Sequence, residues 1–270
     1  MRIEWETVES GPAAAERTVL LFPGGMCGAG SYAEVMAQPS VAGYRLVAAT
    51  LPGHCGTTPP EDFRTENYAQ IAAELAHELR ADVVVGFSMG AMVAYEMAVS
   101  GVFTGPLVLL GVSLSSPDEP AFFRAIVHLT SVMGTLPISA LKQGAASMVK
   151  KAKVPPERQA ELKADFARNT SRDLRKALQA YLDWLRRDDD PARRLCDTDL
   201  PVWVVHAEKG DGGLTSHERS RLQACPNVRL VTIPGHVFFL PNDVPHLIAD
   251  LIVDAVNQLP SGRAAAPEGT

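Results

Sequence analysis

The chain has 270 residues, 46% of them hydrophobic and 21% charged, with a formal net charge of −6. That is enough for one large domain, or a core with an inserted subdomain, around a sizeable buried interior. The acidic balance argues against a nucleic-acid or polybasic membrane partner, and no apolar run approaches the ~18 residues of a spanning helix.

Taken in order, residues Arg2 to Glu9 suit an antiparallel edge hairpin. Short apolar, β-branched runs then recur at Thr18–Phe22, Tyr44–Ala49, Asp82–Phe87, Pro106–Leu110, Val202–His206 and Val228–Ile233. Consecutive apolar positions suit strands buried on both faces of a parallel sheet. Between them lie helical patterns. Asn67–Leu79 gathers Tyr68, Ile71, Ala72, Leu75, Ala76 and Leu79 on one face, and Met89–Ser100 and Val244–Asn257 also read as helices. The alternation gives an α/β class.

From about Ser116 to Leu195 the alternation stops. Helices are expected at Ala121–Met133, Ser139–Ala152, Pro156–Asn169 and Ser171–Arg186. We expect residues 1–115 and 196–259 to form the core and 116–195 a helical cap over the carboxyl edge of the sheet, where ligands bind in open α/β sheets. Residues 260–270, rich in Gly, Pro and Ala, read as a disordered tail. Apolar candidates for a substrate pocket are Phe87, Phe122, Phe123, Ile126, Met133, Met148, Val149 and Val237, against the plainer reading that they pack helices on the core.

The N-terminus lacks the apolar stretch of a signal peptide, so the expected location is cytoplasmic. Cys27, Cys55, Cys196 and Cys225 show neither CxxC nor His/Cys ligand spacing, so no metal is expected, and in a reducing compartment they should remain thiols.

The chemistry centres on Val83-Val84-Val85-Gly86-Phe87-Ser88-Met89-Gly90. A buried strand running into Gly-x-Ser-x-Gly and out through a helix is the setting of a nucleophile elbow, which lifts the Ser88 hydroxyl clear of the sheet. Alone the motif is weak, since chance supplies it in roughly one chain in ten of this length. A serine also needs a base, oriented by a carboxylate, in the chain order Ser, acid, His. His236, in Ile233-Pro234-Gly235-His236 directly after the last strand, is the candidate base; His54, His206, His217, His246, His77 and His128 fit less well. Asp211, in Lys209-Gly210-Asp211-Gly212-Gly213, is the candidate acid, with Glu208 as its competitor. An oxyanion hole would draw one backbone N–H from Met89 and the other from Gly25 or Met26, in the loop Phe22-Pro23-Gly24-Gly25-Met26-Cys27-Gly28. No GxGxxG or GxxxxGK[ST] is present, which argues against a nucleotide site.

With these residues together the chain resembles the α/β-hydrolase superfamily over Thr18–Leu259. The likeness rests on Phe22-Pro23-Gly24-Gly25, Leu51-Pro52-Gly53-His54, Gly86-Phe87-Ser88-Met89-Gly90, the Asp211 loop and Gly235-His236. Pro23-Gly24 stands where many relatives have His-Gly, and the acid turn is longer than theirs. The resemblance implies an eight-stranded, mostly parallel sheet with a helical lid, and no metal or organic cofactor. Relatives with an aspartate nucleophile are disfavoured by Ser88.

The expected activity is a serine carboxylesterase acting through an acyl-enzyme on small to medium, largely apolar esters, as a monomer or homodimer. The alternatives are an acyl thioesterase, which would need a large docking face for an acyl carrier, a lactonase, or a carbon–carbon bond hydrolase. A hydrolase-fold receptor that binds small molecules without turnover is the non-enzymatic alternative. Reaction of Ser88 with a fluorophosphonate separates it from the enzymes.

Overall fold

The computed structural model describes residues 3–119, 121–187, 189–209 and 213–260. Asp211 and the tail beyond Pro260 lie outside these, as do the side chains of Phe122, Phe123 and Met148.

Seven strands form one sheet: β1 (Thr7–Ser10), β2 (Thr18–Phe22), β3 (Arg45–Ala49), β4 (Val83–Phe87), β5 (Leu107–Leu110), β6 (Val202–Lys209) and β7 (Val228–His236), in the order β1-β3-β2-β4-β5-β6-β7. All neighbouring pairs are parallel except β1 with β3. The eighth strand that the resemblance implied is absent among the described residues. The expected N-terminal hairpin is a single antiparallel edge strand, with Thr7 opposite Ala49.

Strands β2, β4 and β5 are buried at every position. That is why they read as unbroken apolar runs: helices cover both faces of a parallel sheet. The covering layers are α1 (Ala33–Met36), α2 (Thr65–Leu79), α3 (Met89–Val99) and, after the insertion, elements C-terminal to β5. Helix α3 is buried along nearly its whole length, including Glu96.

Between β5 and β6 the described residues are helical: α4 (Ala121–Met133), α5 (Leu136–Met148), α6 (Pro156–Arg168), α7 (Ser171–Leu185) and α8 (Pro191–Cys196). Two later helices, α9 (Ser216–Gln223) and α10 (Leu240–Asp243), precede the C-terminal α11 (Pro245–Val256). Helix α8 packs against α3 and α9. The end of the insertion is bolted to α3 through buried Glu96, which accepts from Trp184 Nε1 at 3.0 Å and lies 3.5 Å from Arg187 and 3.7 Å from Arg194. The Tyr95 hydroxyl adds a bond to the Pro191 carbonyl at 3.0 Å.

The thiol expectation is corrected for two of the four cysteines. Cys196, at the end of α8, and Cys225, after α9, form a disulfide with their Cα atoms 5.6 Å apart. Cys27 and Cys55 are free and buried. Among the described residues no helix is long and apolar enough to cross a membrane, and no cluster of three metal-ligating side chains occurs.

Candidate active site

Ser88 is the residue between β4 and α3, with φ 50° and ψ −114°. A positive φ at a non-glycine residue costs on the order of 1–3 kcal/mol and persists only where its surroundings over-determine it. Here they do. The Ser88 N–H donates to the Leu110 carbonyl at 2.8 Å, and its carbonyl accepts from Met92 at 3.0 Å. The turn closes only because Gly86 and Gly90 lack side chains. A Cβ on Gly86 would lie 2.3 Å from the Gly90 carbonyl oxygen, and one on Gly90 would lie 2.3 Å from that of Phe22 and 2.6 Å from that of Pro23. The start of α3 is thereby pressed against the end of β2.

The same close approach brings the glycine loop after β2 to the nucleophile. A Cβ on Gly24 would stand 3.4 Å from Ser88 Cβ, and one on Gly25 would stand 3.6 Å from the Met89 sulfur and 3.7 Å from its Cβ. Met89 is the first residue of α3, where N–H groups have no intrahelical acceptor and the helix dipole is positive. Among the described residues the Gly25 N–H has no hydrogen-bond acceptor.

Met26, the other loop residue named from the sequence, is different. Its N–H donates to Nδ1 of His54 at 3.0 Å and is already committed. Of these two loop amides, that of Gly25 is the one without an acceptor among the described residues. His54 is fully buried, and burial lowers its pKa to about 4, with the charge of Asp173 partly opposing. The ring is therefore neutral near pH 7, with Nδ1 accepting and the proton on Nε2. Among the described residues that Nε2 has no acceptor. The motif Leu51-Pro52-Gly53-His54 marked this loop as reaching the site edge, but nothing in it signalled that the imidazole holds the Met26 amide.

His236 is the last residue of β7, not a loop residue after it. It is exposed, and it pairs with Lys209 across a register shift between Ala207 and Lys209. It shares the carboxyl rim of the sheet with Ser88 but sits three strands away, about 14 Å at the usual strand spacing. Among the described residues no hydrogen bond joins its imidazole to the Ser88 hydroxyl. Glu208, the competing acid, accepts from the Gly235 N–H at 3.0 Å, one residue before His236. His206 is buried in β6.

Of the apolar pocket candidates, Phe87 is buried beside Gly24, while Val149 and Val237 are buried in the core and Ile126 is half-buried. Met133 is 51% exposed, so that end of α4 faces solvent rather than an enclosed pocket.

The sequence model of the alpha/beta hydrolase family matches residues 19–251. The chain belongs to the alpha/beta hydrolase family. No curated protein matches it at a significant level. Among solved alpha/beta hydrolase-like structures, it is similar to a thermophilic esterase from Thermogutta terrifontis at TM-score 0.74 and 17% identity, over 95% of this chain and 94% of that one. It is also similar to the enol-lactonase from Burkholderia xenovorans LB400 (TM-score 0.72, 14% identity, 94% and 97% covered). A thioesterase domain from the curacin biosynthetic pathway aligns at TM-score 0.68 and 20% identity, covering 93% and 99%. At these identities the likeness is one of fold.

Proposed function

We propose that the protein is a serine hydrolase of carboxylic esters, acting on small to medium, largely apolar substrates. The observation that carries this reading is the strained Ser88, held at the carboxyl end of β4 beside the first residue of α3, Met89, and the Gly24-Gly25 loop. The Ser88 hydroxyl attacks the acyl carbon while His236 takes its proton. The Met89 and Gly25 N–H groups receive the charge that develops on the carbonyl oxygen. Collapse expels the alcohol, protonated by His236, and water then releases the acid from Ser88 by the same steps in reverse roles. In this reading the end of β7 gives up its pairing with Lys209 so that the imidazole turns to Ser88. An exposed strand end beyond a register shift is the part of a sheet that opens most readily.

Asp211 takes the role of the acid that orients His236. Glu208 is the second reading, favoured by its bond to the Gly235 amide beside that histidine. The two separate by mutation: Asp211→Ala lowers kcat by about 10⁴-fold if it orients the base, and Glu208→Ala does so if that role is its own.

The test is labelling with a fluorophosphonate, followed by a p-nitrophenyl ester panel of increasing acyl length. Ser88→Ala and His236→Ala are each expected to lose both labelling and turnover, with KM little altered where it is measurable. A Ser88→Ala protein that hydrolyses p-nitrophenyl butyrate at the parental rate ends the proposal. Faster turnover of acyl thioesters or lactones than of simple esters would move the substrate class and leave the nucleophile in place.

A further inference from the structure

The backbone of Met26, the residue after Gly25, is held by three side chains. Met26 is left-handed, with φ 70°, a strained conformation for a side-chain-bearing residue. Its N–H is fixed by His54, and its carbonyl accepts from Cys55 Sγ at 3.1 Å and from Asn169 Nδ2 at 2.9 Å. Cys55 is left-handed as well, with φ 49°, and its N–H donates to Asn169 Oδ1 at 3.0 Å. One amide side chain thus bridges two strained turns, one in the loop after β2 and one in the loop after β3.

That side chain comes from the helical insertion. Asn169 follows α6 and is 2% exposed, and its Nδ2 also reaches the carbonyls of Asp165 and Phe166 at the end of its own helix. Helix α6 leans on the same region elsewhere. Asp165 lies against Gly28, where a Cβ would come within 2.6 Å of its Oδ2. Arg158 pairs with Glu34 at 2.6 Å and donates to the Gly30 carbonyl. Of these contacts from the end of the insertion, that of Asn169 is the one that reaches Met26, next in the chain to Gly25.

We propose that Asn169 is a positioning residue for acyl transfer: its side chain ties the end of α6 to the Met26 carbonyl and so holds the loop that presents the Gly25 N–H to the oxyanion. This rests on the assignment of Ser88 and Gly25 given above. A donor loosely held stabilises the transition state less while leaving ground-state binding nearly alone, so the loss belongs in kcat.

The experiment compares Asn169→Ala and Asn169→Asp with Arg158→Ala, which removes a different anchor of the same helix and leaves the Asn169 bonds to Met26 and Cys55 in place. Four readouts are taken: kcat and KM on p-nitrophenyl butyrate, Tm, and amide hydrogen exchange over residues 24–28 and 54–57. Asn169→Ala is expected to lose about tenfold or more in kcat with less than a threefold change in KM, and to exchange faster in both segments. Asn169→Asp keeps the acceptor for Cys55 but loses the donor to Met26, and is expected to be as slow as the alanine variant. Arg158→Ala is expected to lower Tm yet keep kcat within threefold.

Equal kcat losses in Arg158→Ala and Asn169→Ala at matched Tm would reduce Asn169 to a packing residue and overturn the proposal. Full activity in Asn169→Asp would also overturn it. If the parent protein neither labels nor turns over, the hydrolase reading is what has failed, and the tie is then judged by exchange alone. Unchanged protection in Asn169→Ala refutes it, and lost protection upholds the tie.

Discussion

A fully buried imidazole is costly to protonate, and His54 makes that cost visible in the pH dependence of stability. Its folded pKa is about 4 against an ordinary value near 6.5. Between those values the unfolded chain binds the proton and the folded chain does not, so stability is intact above pH 6.5 and is lost as pH falls toward 4. The total is about 3 kcal/mol. Urea unfolding at pH 7.0, 5.5 and 4.5 should show a falling midpoint, and His54→Gln should flatten that acid limb relative to the parent. At this scale the sequence showed the strained turn that carries Ser88 plainly, because it is written in consecutive residues, Gly86 to Gly90. It did not show His54 or Asn169, whose work is done across 28 and 143 positions of chain. An asparagine at a helix end reads only as a terminus.

Two loops rising from the carboxyl edge are stapled by a pair of acids. Asp118, in a short helical turn before α4, accepts from the Leu114 and Ser115 amides at 2.8 and 3.0 Å and from the Thr215 amide at 3.1 Å. Glu218 of α9 accepts from the same Thr215 amide at 2.8 Å. Burial first, and then the charge of Glu218, raises Asp118 to about 7. The folded state therefore holds a proton that the unfolded state releases near pH 4, and the stability this contributes is lost as pH rises from about 4 to 7. Glu218→Gln supplies a neutral donor in place of the second charge. Relative to the parent, it should gain Tm as pH rises from about 5 to 7; a profile parallel to the parent's would show that the pair does not share a proton.

The elements themselves were legible where an unbroken apolar run or an apolar stripe marks them. Thr18–Phe22 is the same strand in sequence and structure, and Ala121–Met133 the same helix. The ends of β6 and β7 were missed because Glu208, Lys209, Gly235 and His236 extend the ladder on an exposed stretch that carries no apolar signal. The short helices α8 and α9 were missed for a related reason. They are rich in Arg, Ser and Glu, and tertiary contacts and capping at Asp190 and Thr215 sustain them rather than an apolar stripe.

For the molecule as a whole, the parallel sheet and the insertion between β5 and β6 followed from the spacing of buried runs. The pairing of Cys196 with Cys225 did not, because pairing depends on where α8 and α9 come to lie. The bridge closes a loop of 29 residues, which in the chain-entropy account is worth about 3–4 kcal/mol. Thiol titration of the unreduced, denatured protein should count the two thiols of Cys27 and Cys55, with the other two appearing after reduction. Cys196→Ser should lower Tm by about 5–10 °C; four thiols without reductant would mean that the bridge does not form in solution.

The contact between Gly90 and the carbonyls of Phe22 and Pro23 constrains how this molecule can adapt. With no room for even a methyl group, the turn bearing the hydroxyl and the loop facing it are one solid block that cannot be reshaped piecemeal. Under the proposed esterase reading, new acyl groups are accommodated by residues outside this block, in the helices inserted after β5. Laboratory selection for altered substrates should therefore leave the block untouched and spread its changes through α4 to α7.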